Sequence, residues 1–269
     1  MIIVFSDLDG TILDSENYSP AAARPGLLLL REKNIPLIPA SSKTFEEMCL
    51  VANEIGCDGP LIFENGGGIA YPSVNGYRIE ELGMPVDELL EGTGILTFMM
   101  NKRIRLVRDM DISEIMHRTG FDSSRAEMVK LRRFSLPFVP EGPSLSADEI
   151  ARINDHLEKW GFHLTRAERF HYFTSLQADK AEAMTEVVDY YRHEKGIEKI
   201  ITLAIGDSIN DLPMLKLADC AYLVRCKDGS FIDTGCVDIT VTDEPGPSGF
   251  TEAIRRYFSP EKKTDGCTC

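Results

Sequence analysis

The chain opens with a continuous apolar run, Ile2 to Phe5, that stops abruptly at Ser6-Asp7-Leu8-Asp9-Gly10-Thr11. A short unbroken run rich in β-branched residues reads as a strand buried on both faces, and such a strand needs helices above and below it. The following residues supply them in alternation. Ser19-Pro20 opens a helical stretch carrying Leu27 to Leu30, Ile35 to Pro39 reads as a second strand, Thr44 to Ile55 as a helix and Leu61 to Phe63 as a third strand. Thr44 with Glu47 fits a capping box, in which hydroxyl and carboxylate satisfy the free donors at the helix start. This alternation predicts a parallel α/β sheet.

Beyond about Pro85 the character changes. Met84-Pro85-Val86-Asp87 opens a helix-rich stretch, Phe134 to Val139, Phe162 to Leu164 and Phe170 to Thr174 read as strands, and a helix begins near Ala147. The βα pattern then resumes: Asp179 caps a helix with apolar positions at Ala181, Met184, Val187, Val188 and Tyr191, and Ile200 to Ile205 and Ala221 to Val224 read as strands, with a last helix ending near Phe258. The expected architecture is a Rossmann-like parallel-sheet α/β core, residues 1–84 and 177–269, interrupted by an inserted α+β cap, residues 85–176.

Composition narrows the partners. Lys+Arg 29 against Asp+Glu 43 gives a net charge of −14, which repels phosphate backbones and anionic lipid, so neither nucleic acid nor a membrane is an expected partner. The N-terminal apolar run lacks a basic flank and falls far short of the ~20 residues of a membrane span. The seven cysteines are scattered without the C-x2-C spacing of a zinc site. Reduced thiols and a cytoplasmic location are expected, and no role is assigned to Cys267 and Cys269.

In open parallel sheets ligands bind beyond the carboxyl ends of the strands, and four polar clusters fall there. Asp7 and Asp9 follow the first strand, Ser41-Ser42-Lys43 the second, Lys180 opens the helix after the insertion, and Gly206-Asp207-Ser208-Ile209-Asn210-Asp211 follows the strand at 200–205. Asp7, Asp9 and Asp207 on one sheet edge would repel one another without a cation between them. Oxygen ligands with open water positions suit Mg2+, which in turn offsets the charge of a phosphate. Lys180 in the first turn of a helix opposes the macrodipole, a preference that a nearby anion reverses. Ser41, near a helix N-terminus, is placed for an anion.

Asp7-Leu8-Asp9-Gly10-Thr11 resembles the D-x-D-G-T signature of the haloacid dehalogenase superfamily of phosphotransferases, with Ser41, Lys180 and Gly206-Asp207-Ser208-Ile209-Asn210-Asp211 as its second, third and fourth motifs in order. The insertion resembles the α/β cap of its sugar-phosphate branch. Within that branch, Ser41-Ser42-Lys43-Thr44, Glu64-Asn65-Gly66-Gly67-Gly68-Ile69 and Ala126 to Phe138 resemble the mannosyl-3-phosphoglycerate phosphatase family. Arg132-Arg133-Phe134-Ser135-Leu136-Pro137-Phe138 keeps that family's first arginine, serine and proline, with Arg133 and Leu136 where it carries acids; Arg169, in Glu168-Arg169-Phe170, matches its second cap arginine.

The resemblance implies a Mg2+-dependent phosphatase acting on a small phosphorylated sugar-glycerate. Asp7 would be the nucleophile that forms an aspartyl-phosphate and Asp9 the acid and base. Asp7, the Asp9 main-chain carbonyl and Asp207 would hold the metal. Ser41 and Lys180 would grip the phosphoryl group, with Asn210 and Asp211 orienting them. Lys43, Arg132 and Arg169 are candidates for a second substrate anion, since arginine forks match carboxylates. Asn65 and the glycines after it would let backbone approach a sugar, a plain turn being equally compatible. Competing readings are a sugar phosphatase of other specificity, a phosphomutase using the same aspartates, and a phospho-acceptor signalling domain, which would need neither Asp9 nor a cap.

Overall fold

The computed structural model describes residues 1–167, 169–235 and 238–259; Glu168, Cys236, Cys267 and Cys269 lie outside them. The described order is β1 (Ile2–Ser6), α1 (Arg24–Glu32), β2 (Leu37–Pro39), α2 (Phe45–Ile55), β3 (Leu61–Phe63), β4 (Gly68–Ser73) and β5 (Gly76–Glu81). Next come α3 (Val86–Met100), β6 (Ile104–Leu106), α4 (Ile112–Thr119), α5 (Ser123–Val129), β7 (Ser135–Pro140), α6 (Ala147–Leu157), β8 (Phe162–Arg166) and β9 (His171–Ser175). The chain closes with α7 (Lys180–His193), β10 (Ile201–Gly206), α8 (Leu212–Leu217), β11 (Cys220–Arg225), β12 (Ile239–Pro245) and α9 (Gly246–Phe258).

The main sheet is parallel in the order β12-β11-β10-β1-β2, so β1 lies inside it, paired with β10 and β2. Side chains of a strand alternate between faces, and β1 divides its apolar run accordingly. Val4 packs with Leu30 of α1, Val51 of α2 and Phe250 of α9, whereas Ile3 and Phe5 pack with Ala183 and Val187 of α7 and Met214 of α8. Both faces are covered, as the unalternating run requires. The capping box at α2 is present: the Thr44 hydroxyl accepts from the Glu47 amide and the Glu47 carboxylate accepts from the Thr44 amide.

Residues 104–175 contribute a second, antiparallel sheet in the order β6-β7-β9-β8. One face packs on α3 and α6 through Leu89, Leu157, Leu136 and Phe173; the other carries Val129 of α5, Ile115 of α4 and Tyr172.

Three differences from the sequence reading have simple causes. The strand at Leu61–Phe63 belongs not to the main sheet but to an antiparallel β3-β4-β5 ribbon, joined to the residues just after β2 by the parallel Ala40–Ile62 bridge. The Asn75-Gly76 pair at the turn of that ribbon is a hairpin signal that the strand pattern alone does not reveal. Helix α1 starts at Arg24 with Pro25 in its first turn, while Ser19-Pro20 forms turns before it. Short β6 and edge strand β12, which carries Asp243 and Glu244, lack the apolar run by which the other strands are read.

The sheet systems are joined at Glu64, which is fully buried. Its carboxylate accepts from the amides of Arg133 and Phe134 and from the Ser135 hydroxyl, at the entry to β7. Beside it Gly66 has φ +94°, and a Cβ there would stand 2.2 Å from the Asp179 carbonyl oxygen. The space beside Gly66 is thus taken by the Asp179 backbone, and that beside Gly67 and Gly68 by the side chains of Phe134 and Phe63. Replacing Glu64 with Ala leaves three buried donors without an acceptor and should cost about 3 kcal/mol. Denaturant unfolding measures the loss; a cost near zero would show that the junction is held elsewhere.

Candidate active site

β1 and β10 end side by side, and their continuations carry the acids. Asp7 leaves β1 with its amide bonded to the Ile205 carbonyl of β10 (2.9 Å). Gly10 then turns with φ +83°, and a Cβ on it would lie 2.2 Å from Asp207 Oδ2, so glycine is what lets the first loop lie against that carboxylate. Asp7, Asp207 and Asp211 offer carboxylate oxygens within 4.8 Å of one another.

Lys180, 1% exposed, reaches into this cluster from the first residue of α7. Its Nζ donates to Asp7 and Asp211 at 2.6 Å each. It is neither a solvated surface lysine nor a mere helix opening. Burial works against its charge, but Asp211 and Asp7 outweigh burial and hold the ammonium above its ordinary range. Asp211 is fully committed: its second oxygen accepts from the amides of Asp207 and Ser208 and from the Ser208 hydroxyl. It is thus both the cap of its turn and the anchor of Lys180.

One lysine does not balance three carboxylates. Burial raises Asp7 to about 7 against the pull of Lys180, with Asp211 and Asp9 adding to the rise. Burial, then Asp7 and Asp211, push Asp207 well above the usual carboxylate range. An oxygen-only donor set with surplus negative charge fits a hard divalent cation, held by Asp7 and Asp207, since the oxygens of Asp211 are engaged.

Above this floor lies a cavity of about 110 Å3 between the sheet edge and the inserted unit, lined by Asp7, Asp9, Ser42, Lys43, Asp207 and Asn210 from below and Arg132, Arg169 and Tyr172 from above. Lys43 is buried and donates to both oxygens of Asp9 at 2.8 and 2.7 Å. Burial opposes its charge, but Asp9 and Glu47 override burial and raise it. Arg132 is no surface arginine: it donates to the main-chain carbonyls of Ser42 and Val129 and pairs with Glu47 at 3.5 Å, its guanidinium 5.7 Å from the Tyr172 ring centroid. Its donors are used to fasten cap to core. Arg169 differs, standing 4.9 Å over the ring of Tyr18 with no carboxylate partner within salt-bridge distance among the described residues.

Two expected residues are placed otherwise. The Ser41 amide donates to the Ile62 carbonyl, and α2 begins only at Phe45, so Ser41 has no helix amides beside it to share with an anion. Asn65 does not line the cavity; its side-chain oxygen accepts from Asn210 Nδ2 at 3.3 Å, steadying that residue. Sequence reading also missed cavity residues: Glu47, known from the capping box alone, Tyr172, and Tyr18, a lone aromatic in a polar turn that gave no signal.

The sequence matches the haloacid dehalogenase-like hydrolase family over residues 4–107 and 144–227. It is 33% identical to the glucosyl-3-phosphoglycerate/mannosyl-3-phosphoglycerate phosphatase of Methanococcoides burtonii, over 94% of this chain and 95% of that one. The protein of the same description from Persephonella marina is 31% identical, over 99% and 100%. Among solved structures, a Thermoplasma acidophilum protein shares the fold with a TM-score of 0.67 at 18% identity, over 95% of this chain and 97% of that one. The chain belongs to the haloacid dehalogenase-like hydrolase family. Within it, this protein is a phosphatase, a phosphoric monoester hydrolase.

The raised carboxyls make a stability prediction. Asp7 and Asp207 hold protons in the folded state that the unfolded chain releases near 3.8. Without metal, the Asp7 contribution therefore erodes stability as pH rises from about 4 to about 7, and Asp207 acts in the same direction. A Mg2+ ion held by the ionised cluster would stabilise the fold little at pH 5 and increasingly up to pH 8, read as thermal midpoints with and without MgCl2. A Mg2+ effect equal at both pH values would contradict the assignment.

Proposed function

We propose that this enzyme is a Mg2+-dependent phosphatase of glucosyl- or mannosyl-3-phosphoglycerate, working through an aspartyl-phosphate on Asp7 in the cytoplasm, with residues 85–176 as a substrate-specifying cap. Among the described residues no helix is long and apolar enough to cross a membrane. The observation that carries the reading is the Asp7-Lys180-Asp211 chain at the floor of a cap-covered cavity, in a sequence that matches sugar-phosphoglycerate phosphatases over nearly its whole length.

Asp7, Asp207 and the Asp9 main-chain carbonyl would hold Mg2+, which when bound supplies positive charge against the carboxylates and the phosphate. Lys180 keeps Asp7 Oδ1 fixed, leaving the carboxylate aimed for in-line attack on phosphorus. As the phosphorus–oxygen bond to the glycerate breaks, Asp9 gives that oxygen its proton. Water then attacks the aspartyl-phosphate, its proton goes to Asp9, and phosphate leaves with Asp7 restored. Asn210, tied to Asn65, would border the phosphoryl group, with the Ser41 hydroxyl as a candidate donor behind the cavity wall.

Lys43 occupies both oxygens of Asp9. A substrate carboxylate that draws Lys43 toward itself frees Asp9 to take up a proton from water, the proton it then gives to the leaving oxygen, coupling recognition of the glycerate to chemistry. Arg169 serves the same carboxylate from the cap. At about 110 Å3 the cavity is below the roughly 300–1,000 Å3 usual for small-molecule pockets, so the cap must open to admit the substrate.

Asp7→Asn should abolish turnover in a folded protein, because an amide cannot accept the phosphoryl group; parental rates in a deamidation-checked preparation would sink the covalent route. Arg169→Ala should lower kcat/KM about tenfold or more for glucosyl- or mannosyl-3-phosphoglycerate while leaving p-nitrophenyl phosphate nearly unchanged. Arg132→Ala, by loosening the cap, should slow both substrates. A panel of sugar phosphates tests the substrate itself, and no preference for the glycosyl-phosphoglycerates would refute that assignment.

A further inference from the structure

The hydroxyl of Tyr18 is buried beside the cavity and finds no hydrogen-bond partner among the described residues. Buried hydroxyls in native proteins are almost always paired, so one without a partner points to something that binds there. The backbone makes the same point. Tyr18 has φ +58°, a conformation a bulky aromatic rarely adopts. The surrounding turn holds it there: its amide donates to the Asp14 carbonyl at 2.8 Å, Asp14 Oδ1 accepts from the amides of Glu16 and Asn17, and Lys227 pins the Asp14 carboxylate at 2.9 Å. Strain that persists under such restraint is characteristic of functional positions.

The ring stands where core meets cap. Its centroid lies 4.8 Å from that of Phe121, 4.9 Å from the Arg169 guanidinium and 5.3 Å from Lys43 Nζ. Phe121 and Arg169 come from the inserted unit, so it is cap closure that covers Tyr18. We propose that the Tyr18 hydroxyl hydrogen-bonds a hydroxyl of the substrate's sugar ring and thereby selects for a glycosylated phosphate ester, an assignment that rests on the function proposed above. Lys43 and Arg169 already provide for an anion. A neutral phenol, which both donates and accepts, matches a sugar hydroxyl that does the same. A sugar hydroxyl that pairs the Tyr18 hydroxyl would favour the closed state selectively for sugar-bearing ligands.

The test compares Tyr18→Phe with the parental full-length enzyme on three esters: glucosyl- or mannosyl-3-phosphoglycerate, 3-phosphoglycerate, which has the carboxylate but no sugar, and p-nitrophenyl phosphate, which has neither. The expected result is a fall of about tenfold in kcat/KM for the glycosylated ester alone, the other two changing by less than about twofold, with the thermal midpoint unchanged or raised. Equal losses on all three, with a lowered midpoint, would mean that the hydroxyl has a structural partner and would overturn the proposal. Equal losses on the glycosylated ester and 3-phosphoglycerate, sparing p-nitrophenyl phosphate, would assign the hydroxyl to the glycerate and overturn it as well. If the parental enzyme does not hydrolyse glycosyl-3-phosphoglycerates, the function reading fails by itself. The same variant is then compared on hexose 6-phosphates and p-nitrophenyl phosphate: a loss confined to the sugar esters keeps Tyr18 as a sugar ligand. Equal losses, or a parental enzyme inactive on every sugar ester, reject it.

Discussion

Everything at the sheet edge depends on Lys180 standing, buried, between Asp7 and Asp211. An ammonium removed from water is tolerable only when paired and hydrogen-bonded. Asp211 is held in turn by the turn amides after β10, and Asp7 by its place at the end of β1. The parallel pairing of β1 with β10 thereby brings together residues more than 170 positions apart. Removing any one member would leave another charge buried alone, so the same contacts that fix the Asp7 carboxylate also enforce the register of the two central strands.

The cap is fastened by a second set of buried polar contacts, independent of the first. Glu64 receives the entry of β7, Arg132 reaches Glu47 and the Ser42 carbonyl, and the Thr44 hydroxyl donates to the Met128 carbonyl. Glu47 and Thr44 are also the capping pair of α2. Helix start and cap attachment thus share side chains, and the segment 41–47 is held from both sides. Lys43 lies in that segment, so the geometry of its bonds to Asp9 is set by how the cap sits.

The parallel core, the inserted unit and the polar clusters at the strand ends were all legible in the sequence, because buried strands leave unbroken apolar runs and the chemistry of a parallel sheet collects at one edge. The charged floor was legible for the same reason: Asp7, Lys180, Asp207 and Asp211 immediately follow strands or open helices. What escaped were features set by tertiary contact. Arg132 and Arg169 look alike in sequence, yet one is consumed by Glu47 and main-chain carbonyls, whereas the other stands over the Tyr18 ring at the cavity with no carboxylate partner among the described residues. The glycines after Asn65 read equally as room for a sugar or as a plain turn, and the space beside them is taken by Asp179, Phe134 and Phe63. Tyr18 carried no signal, since its role comes from a turn conformation and from cap residues about 100 and 150 positions away.

The two positions where the cap sequence replaces acids can be judged by the same geometry. Leu136 lies in β7 and is buried against α3 and α6, on the face of the cap sheet opposite Tyr172. Arg133 extends from the cap to Glu46 at 3.3 Å and over the Phe45 ring, away from Asp7 and Asp9. Neither lines the cavity. Both changes therefore act on cap packing and on the cap's seat against α2. The groups left to face the cavity from above, Arg169 and Tyr172, lie apart from both positions. Under the proposed function, recognition from above then falls to Arg169, Tyr172 and the core loop that meets them, while Arg133 and Leu136 bear on how the cap is seated and packed.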